Sequence, residues 1–458
     1  MRRLMVRLGN LLKRTLAPAA ICALVIAGCG SQEKPHAAAT GTTTTAAADN
    51  HSVWIYSSLP EGGPERAQAT QIRAGIKLAL GSIQKRYHGF QIRYLALNDS
   101  LIRHVSRRGN TNGWNPSATV RDAERAARNP QTIAYIGDLS SGATELSLPI
   151  LNQAGIAQIT PGSGYPGLTD SYSPSKGIAI TQPGEPARYY PQSPRNLLRM
   201  IPSDIVQASA VLSLLHKGGC PTVAAWEFGG TPENAPETAA LLGAVARTAP
   251  LYGMKYVPPP KLPPSTKSYV TYTSATLKPL NIRCAVLVGR VTPAAEMFTT
   301  ELREQLGASL PVVGTDGFCT ASWARGIAKP YAKEVLPGLY CTTPALPIRR
   351  YPKSAGFVAK FVGAFHQRPT AYSYYGYEAA EMVLRVLRDV ASADDARKQV
   401  LLGLVQEFVP DQPVPAFTFI NGSVESTRYG IEHFNAGGLP VYYKTVAPTP
   451  LYLLPSAG

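Results

Sequence analysis

The segment TIAYIGDLSSGATELSLPILNQAGIAQITPGSGYPGLT, residues 132–169, contains a strand–turn–helix–strand–turn pattern. An apolar run at 132–136 predicts a buried strand, and a small-residue turn and an amphipathic helix follow it. A second apolar run at 156–160 ends in a turn of Gly, Ser and Pro. In an open parallel sheet both turns lie at the carboxyl ends of neighbouring strands, where α/β proteins bind small ligands. The segment therefore predicts an α/β fold with a small-molecule site at these turns.

The first of the two turns leads into the predicted helix at Ser141 and Gly142. Backbone N–H groups at a helix start have no partner within the helix, so they suit an anion such as a carboxylate. Ser141 is equally suited to be the N-cap of this helix, and the two roles are compatible. We expect this turn to form one part of a ligand site.

Strand-like and helix-like segments alternate from residue 52 to about residue 405. A chain of 458 residues is too long for one compact core, which predicts two lobes. The alternation predicts a mostly parallel, doubly wound sheet flanked by helices in each lobe. We assign residues 52–201 with 345–412 to lobe one, and residues 202–344 with 413–452 to lobe two. Three crossovers then form a hinge, which suits clamshell closure around a ligand.

The N-terminal residues predict export from the cytoplasm. A basic region and a short apolar stretch end in Ile26-Ala27-Gly28-Cys29, which matches a bacterial lipobox. We predict a lipoprotein signal peptide over residues 1–28, a lipid-bearing (palmitate-type) Cys29, and a flexible tether over residues 29–51. A simple secretory signal with a chance cysteine is the alternative. Lipidation would place the protein on the extracytoplasmic face of the cell membrane.

Four cysteines remain when Cys22 and Cys29 are set aside, and an even number outside the cytoplasm favours disulfides. None forms a Cys-x-x-Cys motif and no His lies near any of them in sequence, so we expect no metal site. In a sheet of strand order 2-1-3-4-5, the flanking strands are neighbours, which favours Cys220–Cys284 and Cys319–Cys341. The alternative is that some of these cysteines are free.

The formal net charge of +16 does not indicate a nucleic-acid partner. Five of the basic residues lie in the predicted signal peptide, and the others are scattered. No zinc-finger spacing, basic helix or aromatic–basic ribonucleoprotein motif accompanies them. A solvated surface close to anionic lipid or wall polymer explains the charge.

Catalytic and nucleotide motifs are weak in this chain. Residues 162–167 (GSGYPG) spell G-x-G-x-x-G, but Pro166 prevents the helix that a dinucleotide site requires. A ligand loop or an ordinary tight turn are the remaining interpretations. Residues 82–85 (SIQK) spell S-x-x-K without its companion motifs, and no G-x-S-x-G or H-E-x-x-H is present. We therefore expect no catalytic residues and no cofactor.

The chain resembles the branched-chain amino-acid (leucine/isoleucine/valine) binding proteins, the type I periplasmic solute-binding proteins of ABC transporters. The dense matches within the opening segment are Ile136-Gly137, Ser141, Thr144, Pro149-Ile150, Gly155-Ile156, Ile159-Thr160-Pro161 and Leu168-Thr169. Sparser matches extend over residues 52–450: Arg73-Ala74-Gly75, Asn98-Asp99, Asn115-Pro116, Pro202-Ser203-Asp204, Gln207 and Tyr377-Glu378-Ala379. The resemblance implies a two-lobed clamshell that binds a solute without converting it.

The resemblance also implies ligand contacts at eight positions: Ser141, Gly142, Gly162, Ser163, Gly164, Arg290, Asp316 and Tyr372. Ser141 would donate its hydroxyl to a ligand carboxylate, and the glycine loop would supply main-chain groups to the carboxylate and amine. The Asp316 carboxylate would accept hydrogen bonds from the ligand ammonium, or else Asp316 would be a helix-capping turn residue. Tyr372 would face the ligand side chain or pack in the core.

Two positions depart from the family pattern. Gly164 stands where members often have Thr, so one hydroxyl contact is missing. Arg290 replaces a usual aromatic residue and suits an acidic or polar ligand group, with a surface or hinge salt bridge as its alternative role. The excursions at 100–114 and 170–195 are longer than typical and could partly fill or reshape the cleft.

The function predicted from these observations is that of a lipid-anchored receptor. It would bind an amino acid or related small polar solute and dock on the permease subunits of an ABC uptake system. One alternative is a sensor of the same fold that reports a ligand to a membrane partner without transport. Another is a lipid-anchored cell-wall enzyme, which would require a nucleophile–base pair in the cleft.

Overall fold

The structure is a computed structural model that describes residues 51–82, 86–100, 113–171, 180–192, 194–231, 235–263, 267–331, 336–351, 354–407 and 417–448. The predicted signal peptide, Cys29, nearly all of the tether, and residues 101–112 and 172–179 of the two excursions lie outside these ranges. Residues 49–458 form one compact unit. No helix in the described ranges is both long and apolar enough to cross a membrane.

The strands in chain order are β1 (Ser52–Ser58), β2 (Gln91–Leu97), β3 (Thr132–Ile136), β4 (Ala157–Thr160), β5 (Leu197–Arg199), β6 (Thr222–Phe228), β7 (Lys255–Tyr256), β8 (Cys284–Gly289), β9 (Val312–Gly314), β10 (Leu339–Thr343), β11 (Phe419–Ile420), β12 (Ser423–Val424), β13 (Tyr429–Phe434) and β14 (Pro440–Val446). The helices are α1 (Arg66–Gly81), α2 (Pro116–Arg128), α3 (Ser141–Gln153), α4 (Asp204–Lys217), α5 (Ala235–Thr248), α6 (Pro293–Leu306), α7 (Ala321–Tyr331), α8 (Ser354–Phe365), α9 (Ala371–Leu387) and α10 (Ala396–Glu407).

The strands form two seven-stranded sheets, which confirms the predicted two-lobed α/β fold. Lobe one is built on the order β11-β12-β5-β4-β3-β1-β2, and lobe two on β14-β13-β10-β9-β8-β6-β7. Five consecutive strands of each sheet, from the edge strand β2 to β5 and from the edge strand β7 to β10, are parallel in the order 2-1-3-4-5. Antiparallel pairs occur only near the C-terminus of the described chain, where β11 pairs with β12 and β13 pairs with β10 and β14. This doubly wound order places the carboxyl ends of the central strands where a ligand crevice forms.

The last crossover differs from the predicted boundary at residue 413. Strands β11 and β12 extend the sheet of lobe one, because Ser423 pairs with Arg199 of β5. Phe419 and Val424 are buried in the core of the same lobe. The chain therefore crosses into lobe two between Val424 and Tyr429, and the assignment of residues 419–424 to lobe two was wrong.

Both disulfides lie in lobe two and join the pairs that the strand order predicted. Cys220 and Cys284 sit at the amino ends of the neighbouring strands β6 and β8. Cys319 follows β9 and is bonded to Cys341 of the neighbouring strand β10. Cross-links of 64 and 22 residues restrict the unfolded chain and so stabilise this lobe.

The core of lobe one depends on the close approach of α1 and α9. A Cβ atom placed on Gly75 would lie 1.9 Å from the carbonyl oxygen of Ser373, and one placed on Gly376 would lie 2.1 Å from that of Ile72. Only glycine permits this separation of the two helices. The contact fixes the start of α9, and with it Tyr372, at the edge of the cleft between the lobes.

Candidate functional site

A cavity of about 720 Å³ lies where the carboxyl ends of the two sheets face each other. Lobe one contributes Leu139 and Gly162, which follow β3 and β4. Lobe two contributes Arg290 after β8, Asp316 after β9 and Pro344 after β10. A pocket of this size, with polar groups from both lobes, has the dimensions of a small-molecule site.

The predicted ligand-contact residues divide into two groups in the structure. Gly162, Arg290, Asp316 and Tyr372 line the cavity. The other four do not line it: Ser141, Gly142, Ser163 and Gly164. None of the described residues of the two excursions lines it either, and Glu185 of the second excursion instead bonds to the Tyr165 hydroxyl.

Ser141 is bonded to a protein carboxylate. Its Oγ donates to Oε1 of Glu237 at 2.7 Å and accepts from the backbone N–H of Tyr165 at 3.1 Å. Glu237 lies on the first turn of α5 in lobe two, so this hydrogen bond crosses the cleft. The resemblance implies that a ligand carboxylate accepts the Ser141 hydrogen bond. In the structure the Glu237 carboxylate is that acceptor. The N-cap of α3 is Ser140 rather than Ser141, and Ser141 is the first residue of the helix.

The polar groups of the loop after β4 form hydrogen bonds with one another and with Thr144. The hydroxyl of Ser163 is fully buried and bonds to Thr144 at 2.7 Å and Thr160 at 2.9 Å. The backbone N–H groups of Gly162 and Ser163 both donate to the Thr160 hydroxyl. These groups, which the resemblance assigned to the ligand, hold the turn in shape instead.

The side chain of Asp204, at the start of α4, leaves room only for a glycine at position 164. A Cβ atom on Gly164 would lie 2.1 Å from Oδ1 of Asp204, the first residue of α4. The Asp204 N–H also donates to the Gly164 carbonyl at 2.9 Å. The threonine common in the family would therefore collide with Asp204, which explains the departure at this position.

Five carboxylate side chains line the cavity: Glu65, Asp204, Glu237, Asp316 and Glu432. Sequence reasoning gave a role only to Asp316. Asp204 and Gln207 belonged to a motif match without an assigned role, and Gln207 donates from Nε2 to Oδ1 of Asp316 at 3.1 Å. Glu65 and Glu237 lie at helix starts that carry no distinctive pattern.

Burial raises the pKa values of four of these carboxyl groups, Asp204, Glu237, Asp316 and Glu432, and neighbouring negative charges add to the effect at Asp204 and Glu237. Burial, with the charge of Asp316 adding to it, raises the pKa of Glu237 to about 7 against the lowering effect of the Ser141 hydrogen bond. Burial and the charges of Glu237 and Asp316 raise the pKa of Asp204 well above its ordinary value. Burial also raises the pKa of Asp316, although the Gln207 hydrogen bond and Arg290 oppose it.

Arg290 forms an ion pair across the cleft. Its Nη2 lies 2.6 Å from Oε1 of Glu65, the residue before α1 in lobe one. Ser140 Oγ also donates to this carboxylate, at 3.0 and 3.1 Å. Burial lowers the pKa of Arg290, but the charges of Glu65, Glu237 and Asp316 outweigh it and the pKa is raised. Of the two predicted roles, the geometry fits the salt bridge.

Tyr372 lies at the first turn of α9 and lines the cavity. Its ring makes a T-shaped contact with Tyr375, with centroids 5.8 Å apart. Burial raises the pKa of its hydroxyl, so the side chain is neutral at physiological pH. It gives the cavity an aromatic surface beside the carboxylates.

The family model for periplasmic binding proteins matches residues 57–406. Curated protein sequences gave no match. The fold is similar to that of LivJ, the branched-chain amino acid transporter substrate-binding protein from Streptococcus pneumoniae, solved with isoleucine: TM-score 0.61, 16% identity, covering 87% of this chain and 100% of that one. It is similar to the leucine binding protein LivK from Thermotoga maritima, with TM-score 0.63, 16% identity and coverage of 86% and 99%.

A third similar structure is an ABC transporter solute-binding protein from R. palustris, solved with benzoate. It gives a TM-score of 0.59 at 15% identity and covers 87% of this chain and 97% of that one. These likenesses establish the shared fold at low identity. The family match extends over most of the chain and includes the strands and helices that form both walls of the cavity. The chain therefore belongs to the periplasmic binding protein family.

Proposed function

We propose that this protein is the extracytoplasmic receptor of an ABC uptake system, and that it binds a small polar solute, an amino acid or a related compound. The observation that carries the proposal is the cavity of about 720 Å³ between the two lobes, lined by polar side chains from both. Two contacts bridge the lobes at this cavity, Ser141–Glu237 and Arg290–Glu65. Interactions of this kind favour a closed state that can enclose a solute.

The relatives support the same role. Solved structures of this fold hold isoleucine in a binding protein of a branched-chain amino acid transporter and benzoate in a binding protein of an ABC transporter. The Cys29 lipobox supports attachment to the membrane, where the permease would be reached. The tether of residues 29–51 would give the folded part the reach to dock on it.

Solute binding is tested by thermal unfolding of the purified full chain against a library of amino acids, amides, amines and organic acids. A solute at about 100 times its dissociation constant stabilises by about 2.7 kcal/mol, which appears as a melting shift. Calorimetric titration should then give one solute per chain, and mass spectrometry should recover the solute unchanged. Absence of any response across the library would overturn the proposal, and recovery of a converted product would favour a wall enzyme.

Transport is separated from sensing by uptake of the radiolabelled solute in cells with and without the protein. Uptake that depends on the protein supports the receptor role, whereas binding without an effect on uptake favours the sensor. The anchor is tested by metabolic labelling with palmitate, which should mark the wild-type protein and not a Cys29→Ser variant. Equal labelling of both forms would place the lipid elsewhere or exclude it.

A further inference from the structure

The charge of the cavity is unlike that expected for a zwitterion or an acid. Five carboxylate side chains line it, and Arg290 is its only basic lining residue among the residues that the structure describes. Arg290 is already held by Glu65 at 2.6 Å. Introducing a further carboxylate into this space would add repulsion without a free basic partner.

A second cation, Arg199, lies near the site but does not line the cavity. It is completely buried, and its Nη1 donates to the backbone carbonyls of Gly164 and Tyr165 at 3.2 and 2.8 Å. Its Nη2 donates to the Thr169 hydroxyl at 2.9 Å. Arg199 therefore stabilises the loop after β4 without lining the cavity. The five carboxylates that line the cavity still outnumber the two arginines, Arg199 and Arg290.

Several groups that would receive a ligand carboxylate are engaged within the protein. Ser141 donates its hydroxyl to Glu237, and the N–H groups of Gly162 and Ser163 donate to the Thr160 hydroxyl. The Tyr165 N–H donates to Ser141. The Ser141 hydroxyl and these three N–H groups therefore have protein partners before any solute enters.

Asp204, in contrast to these groups, has a side-chain oxygen without a hydrogen-bond partner among the described residues. Its side chain lines the cavity, the residue is only 6% exposed, and its Oδ2 has no hydrogen-bond partner among the described residues. A buried carboxylate oxygen without a donor is rare in folded proteins. Gln207, one turn further along α4, donates to Asp316, which brings the two aspartates to the same part of the cavity. An ammonium or amidinium group would supply the missing donors.

We propose that the solute is an organic cation, with at least one ammonium or amidinium group bound by Asp204 and Asp316 and with no free carboxylate. The inference rests on the proposed solute-binding function and names the solute class for that site. The ring of Tyr372 offers a surface that attracts a cation. Leu346 and Ile348 line the cavity as well and suit the carbon skeleton of such a solute.

Three pairs of probes that differ by a carboxylate test the inference on the purified full chain. They are leucine with isoamylamine and arginine with agmatine, which differ only by the carboxylate, and benzoate with benzylamine, in which an aminomethyl group replaces the carboxylate. Calorimetric titration should show that in at least one pair the amine or guanidine without the carboxylate binds ten-fold or more tightly than its partner. If an acid-bearing member binds as tightly or more tightly, or if only neutral or anionic library members bind, the cation assignment fails while solute binding stands. If no solute binds, the proposed function fails as well.

Substitution of aspartates tests where the organic cation binds. Asp204→Asn keeps the volume of the side chain and removes its charge, so it should weaken binding of the best amine probe ten-fold or more. Asp394→Asn, on an exposed loop before α10, is the matched control and should bind like the wild type. Thermal unfolding without solute checks that Asp204→Asn folds, because replacing a carboxyl group whose Oδ2 has no partner among the described residues should leave the melting temperature unchanged or raised. Unaltered amine affinity in a folded Asp204→Asn would overturn the assignment.

Discussion

The two walls of the cleft differ in how their polar groups are used. On the wall of lobe one, Thr160 and Ser163 bond to each other and to neighbouring backbone, so the loop after β4 is satisfied internally. The wall of lobe two presents carboxylates, Glu237 and Asp316, toward the cavity. Asp204 sits where the chain passes from one wall to the other, and its Oδ2 is unpartnered among the described residues. The comparison indicates that the loop after β4 in lobe one is a scaffold, while lobe two and the crossing supply four of the five carboxylates that line the cavity.

The largest effect is expected from restoring the family residue at Gly164. In Gly164→Thr, the new Cβ would lie 2.1 Å from Asp204 Oδ1, so the loop or α4 must shift. Overpacking of this kind lowers the free energy of unfolding by about 2–3 kcal/mol, measured by urea denaturation. The double variant Gly164→Thr/Asp204→Ala should recover part of the loss, because the colliding carboxylate is gone.

A control glycine separates this collision from a general effect of replacing glycine. Gly356 lies in α8, and a Cβ atom added there would have no neighbouring atom within 4 Å among the described residues. Gly356→Ala should therefore stabilise by about 0.5–1 kcal/mol. If Gly164→Thr unfolds like the wild type, Asp204 does not constrain this loop, and the contrast between the walls would lose its best steric support.

The next effect concerns the hydrogen bond that joins the walls. Ser141→Ala removes the donor to Glu237 and the acceptor for the Tyr165 N–H, and should lower the free energy of unfolding by about 1–2 kcal/mol. A double-mutant cycle with Glu237→Ala should show a coupling of about 1 kcal/mol. Ser392→Ala on an exposed loop is the control. Zero coupling would mean that the two lobes do not interact at this point in solution.

The fold was largely predictable from the sequence because its signals are local. The strands near 132–136 and 156–160 are short, mostly apolar segments, and the alternation with helices implies the parallel order that also predicted the disulfide pairs. The tail that contains β11 and β12 is predicted to form short strands, but the lobe to which these two strands belong could not be predicted, because two residues each carry no pattern that identifies a pairing partner. Their place depends on pairing with Arg199, a contact made across more than 200 residues of chain.

Only those site residues that follow the carboxyl ends of strands could be predicted from the sequence. Asp316 and Arg290 come directly after β9 and β8, and both line the cavity. Glu65 precedes α1 and Glu237 lies on the first turn of α5, and neither helix carries a site motif. Their contacts with Arg290 and Ser141 therefore depend on how the lobes pack. The roles of Ser141 and Ser163 could not be predicted from their motif, because the hydroxyl and N–H groups of such a turn suit both a ligand carboxylate and hydrogen bonds within the protein.

The acidity of the lobe-two wall predicts a pH dependence of stability. The pKa of Glu237 is about 7 in the folded protein against an ordinary value of 4.5, so the folded state binds more protons between these values. Stability should therefore be highest near pH 5 and fall as the pH rises to 8, by about 1–2 kcal/mol from this group. Asp204, Asp316, Glu65 and Arg290 are the charged groups that face it.

Urea denaturation of Glu237→Gln across this pH range isolates the contribution, since glutamine keeps the shape and an acceptor for Ser141 without titrating. The variant should show a flatter profile than the wild type. Glu304→Gln, exposed on α6, should leave the profile unchanged. An identical slope in Glu237→Gln and wild type would show that the cleft carboxylate is ordinary and that the wall is less buried than the structure indicates.

The last effect concerns the ion pair between the walls. The side chains of Arg290 and Glu65 are only 21% and 17% exposed, and breaking a partly buried pair leaves Glu65 without its arginine partner, so Arg290→Gln should lower the free energy of unfolding by about 1–2 kcal/mol. Its larger consequence is on the separation of the lobes, because the pair joins the residue before α1 to the residue after β8. Small-angle X-ray scattering without solute should show a larger radius of gyration for Arg290→Gln. The exposed pair Arg128–Glu124 lies within one helix, so Arg128→Gln should match the wild type in scattering. An unchanged radius for both variants would leave the Ser141–Glu237 bond as the contact that holds the two walls together.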